Sequence, residues 1–276
     1  MMSTASPDLQ GKRIALLEAR MSSELAELVR RRGGNPYSVP AVREHALDAG
    51  PQVDSILDQL KNGSIHIAIF QTRVGADAFF AAAEKLGRLP ELISSLNSIT
   101  TICRGPKPTA ALKAKSIKIT MNVPEPYTTN EILETVNSLD LRDRRILIIH
   151  YGEPNTILSE ALRQRVELVE LCLYEWLLPE DTAPLRMLIQ EIIDGYVDAI
   201  VFTSQVQIRH LFEVAAGCGK SVELVHALKS IVVAAVGPTC AATSESFGVP
   251  PDVVPEHPKM GPLVLALSRY ISETSH

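Results

Sequence analysis

The chain has 276 residues, of which 46% are hydrophobic and 21% are charged, with a formal net charge of −5 and a pI near 5.8. This composition can build a core for one large or two small domains, which argues against disorder. It lacks the surplus of positive charge that nucleic-acid binding usually requires. The four cysteines, Cys103, Cys172, Cys218 and Cys240, have no CxxC spacing and indicate reduced, buried thiols instead of a zinc site.

The sequence shows neither a signal peptide nor a membrane span. Residues 1–10 are polar and contain Pro7, without the cationic start and apolar core of a signal peptide. No apolar run reaches the roughly 20 residues that a membrane-spanning helix needs. We therefore expect a soluble cytoplasmic protein with no membrane or nucleic-acid partner, and a monomer by default.

Apolar runs of strand length alternate with helical patterns, which predicts an α/β protein with right-handed crossovers. Most of the runs are continuously apolar, as is typical of parallel strands covered on both faces. The predicted strands are Arg13–Leu17, His66–Phe70, Ile99–Cys103, Ile117–Thr120, Ile146–His150, Glu167–Cys172, Ala199–Phe202 and Ile231–Val236. The predicted helices include Ser22–Arg32, Gly75–Leu86, Glu131–Leu139, Ile157–Arg165, Pro184–Gly195 and Val206–Ala216.

Three separate segments of the sequence repeat at one offset of 132 residues. Such agreement between unrelated segments predicts an internal duplication, with two similar parallel-sheet α/β domains and a ligand between them. The matching positions are Arg13 and Arg145, Phe70 and Phe202, and Gly105 and Gly237.

Two extended segments, Pro36–Pro40 and Leu171–Pro179, lie near equivalent points of the two halves and are interpreted as connectors. Because the chain would then cross twice between the domains, one domain would be discontinuous. The predicted organisation is one domain from residues 1–38 plus 177–276, a second domain from 43–171, and linkers at 36–43 and 171–179.

The segment Gly217–Ser221 is similar to a phosphate-binding loop, but the position of its first glycine is taken by Val214. A helix also precedes it, whereas a phosphate-binding loop follows a strand. This segment instead predicts the end of one helix and the start of the next.

Four loops follow predicted strands and open helices, at matched positions of the two halves. The carboxyl ends of parallel strands bind ligands in open α/β sheets, and free N–H groups at helix starts favour carboxylates. Ordinary helix capping would explain any one of these loops. Taken together, and with three cations among them, they predict a cleft for a polyanionic organic ligand. The loop residues are Gln71, Thr72 and Arg73; Arg104, Gly105 and Lys107; Thr203, Ser204 and Gln205; and Gly237, Pro238 and Thr239.

Tyr174 lies inside the second connector, two residues before Trp176, the only tryptophan. If this segment bridges two domains, the phenol could donate a proton to a leaving hydroxyl. Alternatively, Tyr174 packs at a domain junction, and both interpretations stay open at this point. We expect Trp176 to be a packing anchor.

The runs Asp198–Ser204, Val236–Thr239 and Ile146–Asn155, together with Tyr174, resemble the uroporphyrinogen-III synthase family in their order and spacing. The resemblance extends from about Gly11 to Tyr270. It implies two α/β domains joined by a two-stranded linker, a hydro-lyase activity, and no metal or organic cofactor. It also implies that the substrate is hydroxymethylbilane, a linear tetrapyrrole rich in carboxylates, which closes to uroporphyrinogen III with inversion of ring D.

The resemblance also implies roles for particular residues. Tyr174 matches the linker tyrosine of the family, and would assist departure of the hydroxyl. Thr203, Ser204, Gly237, Pro238 and Thr239 match its binding loops, and Arg20, Gly152 and Lys259 complete the predicted substrate site. The sequence departs from the family in three places. Glu18–Arg20 stands where the family often has Thr-Arg-Pro, and Gln71–Arg73 stands where it usually has a Thr-Ser-like loop. Arg104–Pro108 replaces a segment that is usually Val-Gly. These departures add charge to the predicted cleft.

Two alternatives to an enzyme remain. One is a non-catalytic tetrapyrrole sensor with a synthase-like fold that acts through a separate partner. The other is a periplasmic-type two-domain binding protein, which the lack of a signal sequence and the four unpaired cysteines disfavour.

Overall fold

The computed structural model describes residues 8–19, 21–150, 152 and 154–274. The chain forms two compact units, which we call unit 1 (residues 1–43 and 177–276) and unit 2 (residues 44–176). No helix in the described part of the chain is long and apolar enough to cross a membrane.

Short strands and helices alternate along the chain, as the apolar pattern predicts. The strands are β1 (Arg13–Leu16), β2 (Asn35–Ser38), β3 (Arg43–Ala46), β4 (Ile67–Phe70), β5 (Thr100–Cys103), β6 (Met121–Asn122), β7 (Arg145–Ile149), β8 (Glu167–Leu171), β9 (Tyr174–Leu177), β10 (Ala199–Phe202) and β11 (Val232–Ala235). The helices are α1 (Ser22–Arg31), α2 (Gly50–Lys61), α3 (Arg73–Lys85), α4 (Leu89–Ser98), α5 (Pro106–Ala114), α6 (Thr129–Asn137), α7 (Thr156–Arg163), α8 (Ala183–Ile193), α9 (Gln205–Gly217), α10 (Ser221–Leu228), α11 (Pro238–Ser246) and α12 (Met260–Thr274).

Unit 1 is built on a parallel sheet with the strand order β11-β10-β1-β2. Successive side chains of a strand point to opposite faces of the sheet. In β10, Ile200 and Phe202 therefore pack in one core and Val201 packs in another. The first core is covered by helices α8 to α11, and the second by α1 and α12. Burial on both faces explains why the strand sequences are continuously apolar.

Unit 2 repeats this arrangement on a parallel sheet with the order β6-β5-β4-β7-β8. Phe70 and Ile149 face a core covered by α2 to α5, whereas Ile69 and Ile148 face a core covered by α6 and α7. The strand pair β3 and β9 forms a separate two-stranded sheet. The chain passes from one unit to the other within these two strands.

The offset of 132 residues reappears in the structure. Helix α3 and strand β4 of unit 2 begin 132 residues before α9 and β10 of unit 1, as do β5 and α5 before β11 and α11. One parallel β-bridge is repeated at the same offset. Ile102 pairs with Met121 in unit 2, and Ala234 pairs with Val253 in unit 1. The predicted fold class, two similar parallel-sheet α/β halves, is therefore confirmed.

Two local predictions were wrong, each for a visible reason. Pro36, interpreted as part of a connector, lies in β2, where it pairs with Ile14 at the edge of the sheet. An edge strand tolerates proline because one side of its backbone needs no partner. The predicted strand Ile117–Thr120 is not a strand, since the Thr101 hydroxyl donates to the Lys118 carbonyl (2.6 Å) and accepts from the Thr120 N–H (3.1 Å). The Thr120 N–H also donates to the Thr101 carbonyl at 3.1 Å, but regular strand pairing begins only at Met121.

The Gly217–Ser221 segment behaves as its sequence predicts. Helix α9 ends at Gly217, and α10 begins at Ser221. The segment therefore joins two helices and does not follow a strand.

Candidate functional site

The carboxyl edge of the unit 2 sheet brings together residues that are distant in sequence. Gln71 and Thr72 follow β4, and His150 follows the neighbouring β7. Thr72 is the N-cap of α3, since its hydroxyl accepts a hydrogen bond from the Gly75 N–H at 3.0 Å. The same hydroxyl lies 2.8 Å from the phenolic oxygen of Tyr174 in β9, a distance at which either oxygen can donate.

Tyr174 is buried, with 1% of its surface exposed, and its ring meets that of Trp176 edge-on at a centroid distance of 5.4 Å. Gly152 lies directly against both rings with a positive φ of 95°. A Cβ at this glycine would be 2.4 Å from Trp176 Cδ1 and 2.8 Å from Tyr174 Cε2. The phenol is thus both packed and hydrogen-bonded, and its role as a proton donor stays a prediction.

A buried polar network beside Thr72 contains one predicted site residue, Gln71, and several residues that the sequence did not indicate. The Nδ1 atom of His150 lies 3.1 Å from the Asn155 backbone N–H and 3.2 Å from Gln71 Nε2. Asn155 Nδ2 donates to Gln71 Oε1 at 3.2 Å and to Thr129 Oγ1 at 2.9 Å. These contacts tie the ends of β4 and β7 to the starts of α6 and α7.

Glu170 of β8 completes this network. Its Oε1 lies 2.9 Å from His150 Nε2 and also accepts from the Ser159 hydroxyl, while its Oε2 pairs with Arg163. Burial lowers the pKa of the His150 imidazole, although Glu170 opposes that shift. Burial alone would raise the pKa of Glu170, but hydrogen bonds from Ser159 and His150 outweigh it and hold that pKa below its usual value.

The carboxyl edge of the unit 1 sheet has the equivalent loop, built with different chemistry. Thr203 donates its hydroxyl proton to Glu18, which stands 132 residues before His150. The Gln207 side chain accepts from the backbone N–H groups of Thr203 (2.8 Å) and Ser204 (3.3 Å). These two amides are therefore already paired, and the expectation of free amides was wrong here.

The two glycine–proline turns are similar in the two units. Gly105 and Gly237 are extended N-caps of α5 and α11, without a side-chain cap, and a proline follows each in the first turn. A side chain of the same unit covers each turn. The Tyr127 ring lies 3.4 Å from the Cβ position of Gly105, and Pro258 Cβ lies 3.0 Å from that of Gly237.

The predicted site residues fall into one set for each unit. Unit 2 holds Gln71, Thr72, Arg73, Arg104, Gly105, Lys107, Gly152 and Tyr174, and unit 1 holds Thr203, Ser204, Gln205, Gly237, Pro238, Thr239 and Lys259. The Arg73 guanidinium pairs with Asp77 at 3.1 Å, and Lys107 and Lys259 are exposed. Arg20 lies outside the described residues. Among the residues that the structure describes, no group of three or more His, Cys, Asp or Glu side chains could hold a metal ion.

The fold and these loops define a class: duplicated parallel α/β proteins in which polar loops at the carboxyl edges of both sheets lead into helices. Within this class, residues 23–264 match the family model described as Uroporphyrinogen-III synthase HemD. The chain belongs to the uroporphyrinogen-III synthase family, as the sequence resemblance predicts.

Similar proteins span nearly the whole chain. It is 27% identical over 267 residues to the Bacillus subtilis (strain 168) protein described as "Uncharacterized protein YjjA", covering 96% of this chain and 98% of that one. A crystal structure of a mutant uroporphyrinogen III synthase from the extremely thermophilic bacterium Thermus thermophilus matches with a TM-score of 0.74 and 23% identity, covering 95% of this chain and 99% of that chain. The Helicobacter pylori 26695 uroporphyrinogen-III synthetase matches with a TM-score of 0.52 and 15% identity, again covering 95% and 99%. These structures support the fold.

Proposed function

We propose that the protein is a cyclising hydro-lyase that converts hydroxymethylbilane to uroporphyrinogen III, with inversion of ring D and loss of water. Family membership supports this reaction class. The observation that carries the proposal is the hydrogen bond between Tyr174 and Thr72 at the carboxyl edge of the unit 2 sheet. We also propose that the protein acts in the cytoplasm as a monomer.

The Thr72 hydroxyl can direct the phenolic proton of Tyr174. One lone pair of Thr72 Oγ1 already accepts from the Gly75 N–H. If Thr72 donates its own proton to the phenolic oxygen, the Tyr174 O–H is directed away from Thr72. In the reaction, that proton would go to the ring A hydroxyl, whose C–O bond breaks to release water and leave a protonated azafulvene. The Tyr174 phenolate regains its proton when ring D loses one on closure of the macrocycle.

The remaining steps are conformational. Ring D attacks the azafulvene through a spiro intermediate, inverts, and closes the macrocycle, whereas the unassisted substrate closes without inversion. The enzyme must therefore hold the two ends of the chain in one arrangement and exclude the other. Arg73, Arg104, Lys107 and Lys259 supply positive charge for the carboxylates, and the uncapped starts of α5 and α11 add helix-terminal N–H groups.

An isomer assay tests this proposal. The purified protein is supplied with hydroxymethylbilane, and the products are oxidised and resolved by chromatography. We expect predominantly isomer III, against a background of isomer I without protein. Isomer I alone, with hydroxymethylbilane still binding in a calorimetric titration, would contradict the enzyme. That outcome would favour the non-catalytic tetrapyrrole sensor, in which Tyr174, 1% exposed, would be a packing residue only.

A further inference from the structure

The hydrogen bonds around His150 fix both its charge and its tautomer. The backbone N–H of Asn155 can only donate, and it points at Nδ1 from 3.1 Å. Nδ1 must therefore be unprotonated, and it accepts from Gln71 Nε2 as well. The ring proton is then on Nε2, from which it is donated to the Glu170 carboxylate at 2.9 Å. His150 is thus a neutral acceptor at one nitrogen and an anchored donor at the other.

The hydrogen bonds of His150 also hold the loop that carries Thr72, the partner of Tyr174. Both ends of the Gln71 side-chain amide are held, one by His150 and the other by Asn155. Gln71 is followed in the chain by Thr72, the cap of α3. The first turn of α3 also packs on the backbone of His150, because a Cβ at Gly75 would be 2.9 Å from the His150 carbonyl oxygen.

We propose that neutral His150, anchored by Glu170, is a positioning residue that holds Gln71 and the start of α3 so that Thr72 can bond Tyr174. The proposal rests on the proposed role of Tyr174 in the reaction. His150 has no contact with substrate in this scheme, and acts only through the loop that carries Thr72.

The network should break when His150 is protonated. A proton on Nδ1 would face the Asn155 N–H, so Gln71 and Asn155 would have to move. The charged groups beside the imidazole are Glu170 of β8, which favours protonation, and Arg163 of α7, which opposes it. Burial is the largest effect and lowers the pKa of His150. The intact network therefore persists through neutral pH, and is lost only as the pH falls through this lowered value.

Two substitutions at His150 distinguish the loss of the hydrogen-bond acceptor at Nδ1 from the loss of a group that can be protonated. His150→Asn keeps an oxygen near the Nδ1 position but cannot titrate. Because the bond to Glu170 is lost, we expect its neutral-pH turnover to fall, but by less than that of His150→Leu, while the acid limb of the kcat profile disappears. His150→Leu removes the acceptor, and we expect kcat to fall by roughly 10- to 100-fold with a smaller change in KM. His66→Leu is the matched control, since His66 also accepts a backbone N–H, from Arg145, but at the opposite end of β7.

The emission of Trp176, the only tryptophan, gives a readout that needs no substrate. Its ring touches that of Tyr174, so a shift of Tyr174 should alter the emission. We expect wild type and His66→Leu to show an acid transition in emission while far-UV circular dichroism is unchanged, and His150→Asn to show none.

Identical transitions in wild type and His150→Asn would overturn the proposal, as would wild-type kcat in a folded His150→Leu. Should His150→Leu fail to fold, the comparison of wild type with His150→Asn decides alone. If the protein makes no isomer III yet the transition depends on His150, the positioning role stands and the proposed reaction fails.

Discussion

Replacing Tyr174 with phenylalanine should lower kcat for hydroxymethylbilane by about 100-fold or more, because a positioned general acid typically contributes that much to a rate. KM should change little, since the ring and its edge-on contact with Trp176 remain. Loss of the hydrogen bond to Thr72 should reduce the free energy of unfolding by only about 1 kcal/mol. Steady-state kinetics and urea unfolding of the same preparation measure both effects.

Tyr37→Phe is the control for this substitution. Tyr37 lies in unit 1 with its ring under the Arg13 guanidinium at 4.1 Å, and phenylalanine preserves that ring. We expect its kcat to match that of wild type. A Tyr174→Phe enzyme that is equally fast would remove the phenol from the mechanism, and Tyr174 would then be a packing residue.

The fold could be predicted because its signals are local. Continuously apolar runs such as Ile67–Phe70 and Ala199–Phe202 identify buried parallel strands, and the 132-residue offset relates the two sheets. The strand-end loops follow from the same pattern, since a loop that begins after a parallel strand must lie at the carboxyl edge.

The polar network was missed because its members are ordinary residues that only the fold brings together. Gln71 and His150 follow two different strands and Glu170 lies in a third, and no spacing in the sequence links them. One signal was present. Glu18 and His150 are repeat partners, as are Thr203 and Gln71, and in each unit the two residues are connected at the same edge. The offset therefore predicts that a contact found in one unit recurs in the other.

The network also changes how the departures from the family pattern are understood. Gln71 is 1% exposed and hydrogen-bonded to His150 and Asn155, so its side chain supports the loop and does not present itself to a ligand. We therefore propose that Thr72 and the start of α3, and not Gln71, face the ligand. In unit 1, the Gln207 side chain holds the Thr203 loop in a comparable way.

A methyl group at Gly152 should be the most damaging small substitution in unit 2. The Cβ of Gly152→Ala would overlap the Trp176 ring at 2.4 Å and approach Tyr174 at 2.8 Å, so both rings must shift. The backbone adds strain, because φ is 95° at this residue. Overpacking typically costs about 1–3 kcal/mol and left-handed strain about 1–2 kcal/mol. We expect the unfolding midpoint to fall, and kcat to drop by about 100-fold because Tyr174 is displaced from Thr72.

Gly63→Ala separates these two causes within the same unit. Gly63 has a φ of 76°, and a Cβ there would meet nothing within 4 Å. It should therefore lose about 1–2 kcal/mol from backbone strain alone and keep its kcat. If Gly152→Ala behaves as Gly63→Ala does, with Trp176 emission and turnover unchanged, then the contact of Gly152 with the two rings has no part in placing the phenol. A loss of turnover in Gly152→Ala alone, with altered Trp176 emission, would tie the close approach at Gly152 to the position of Tyr174.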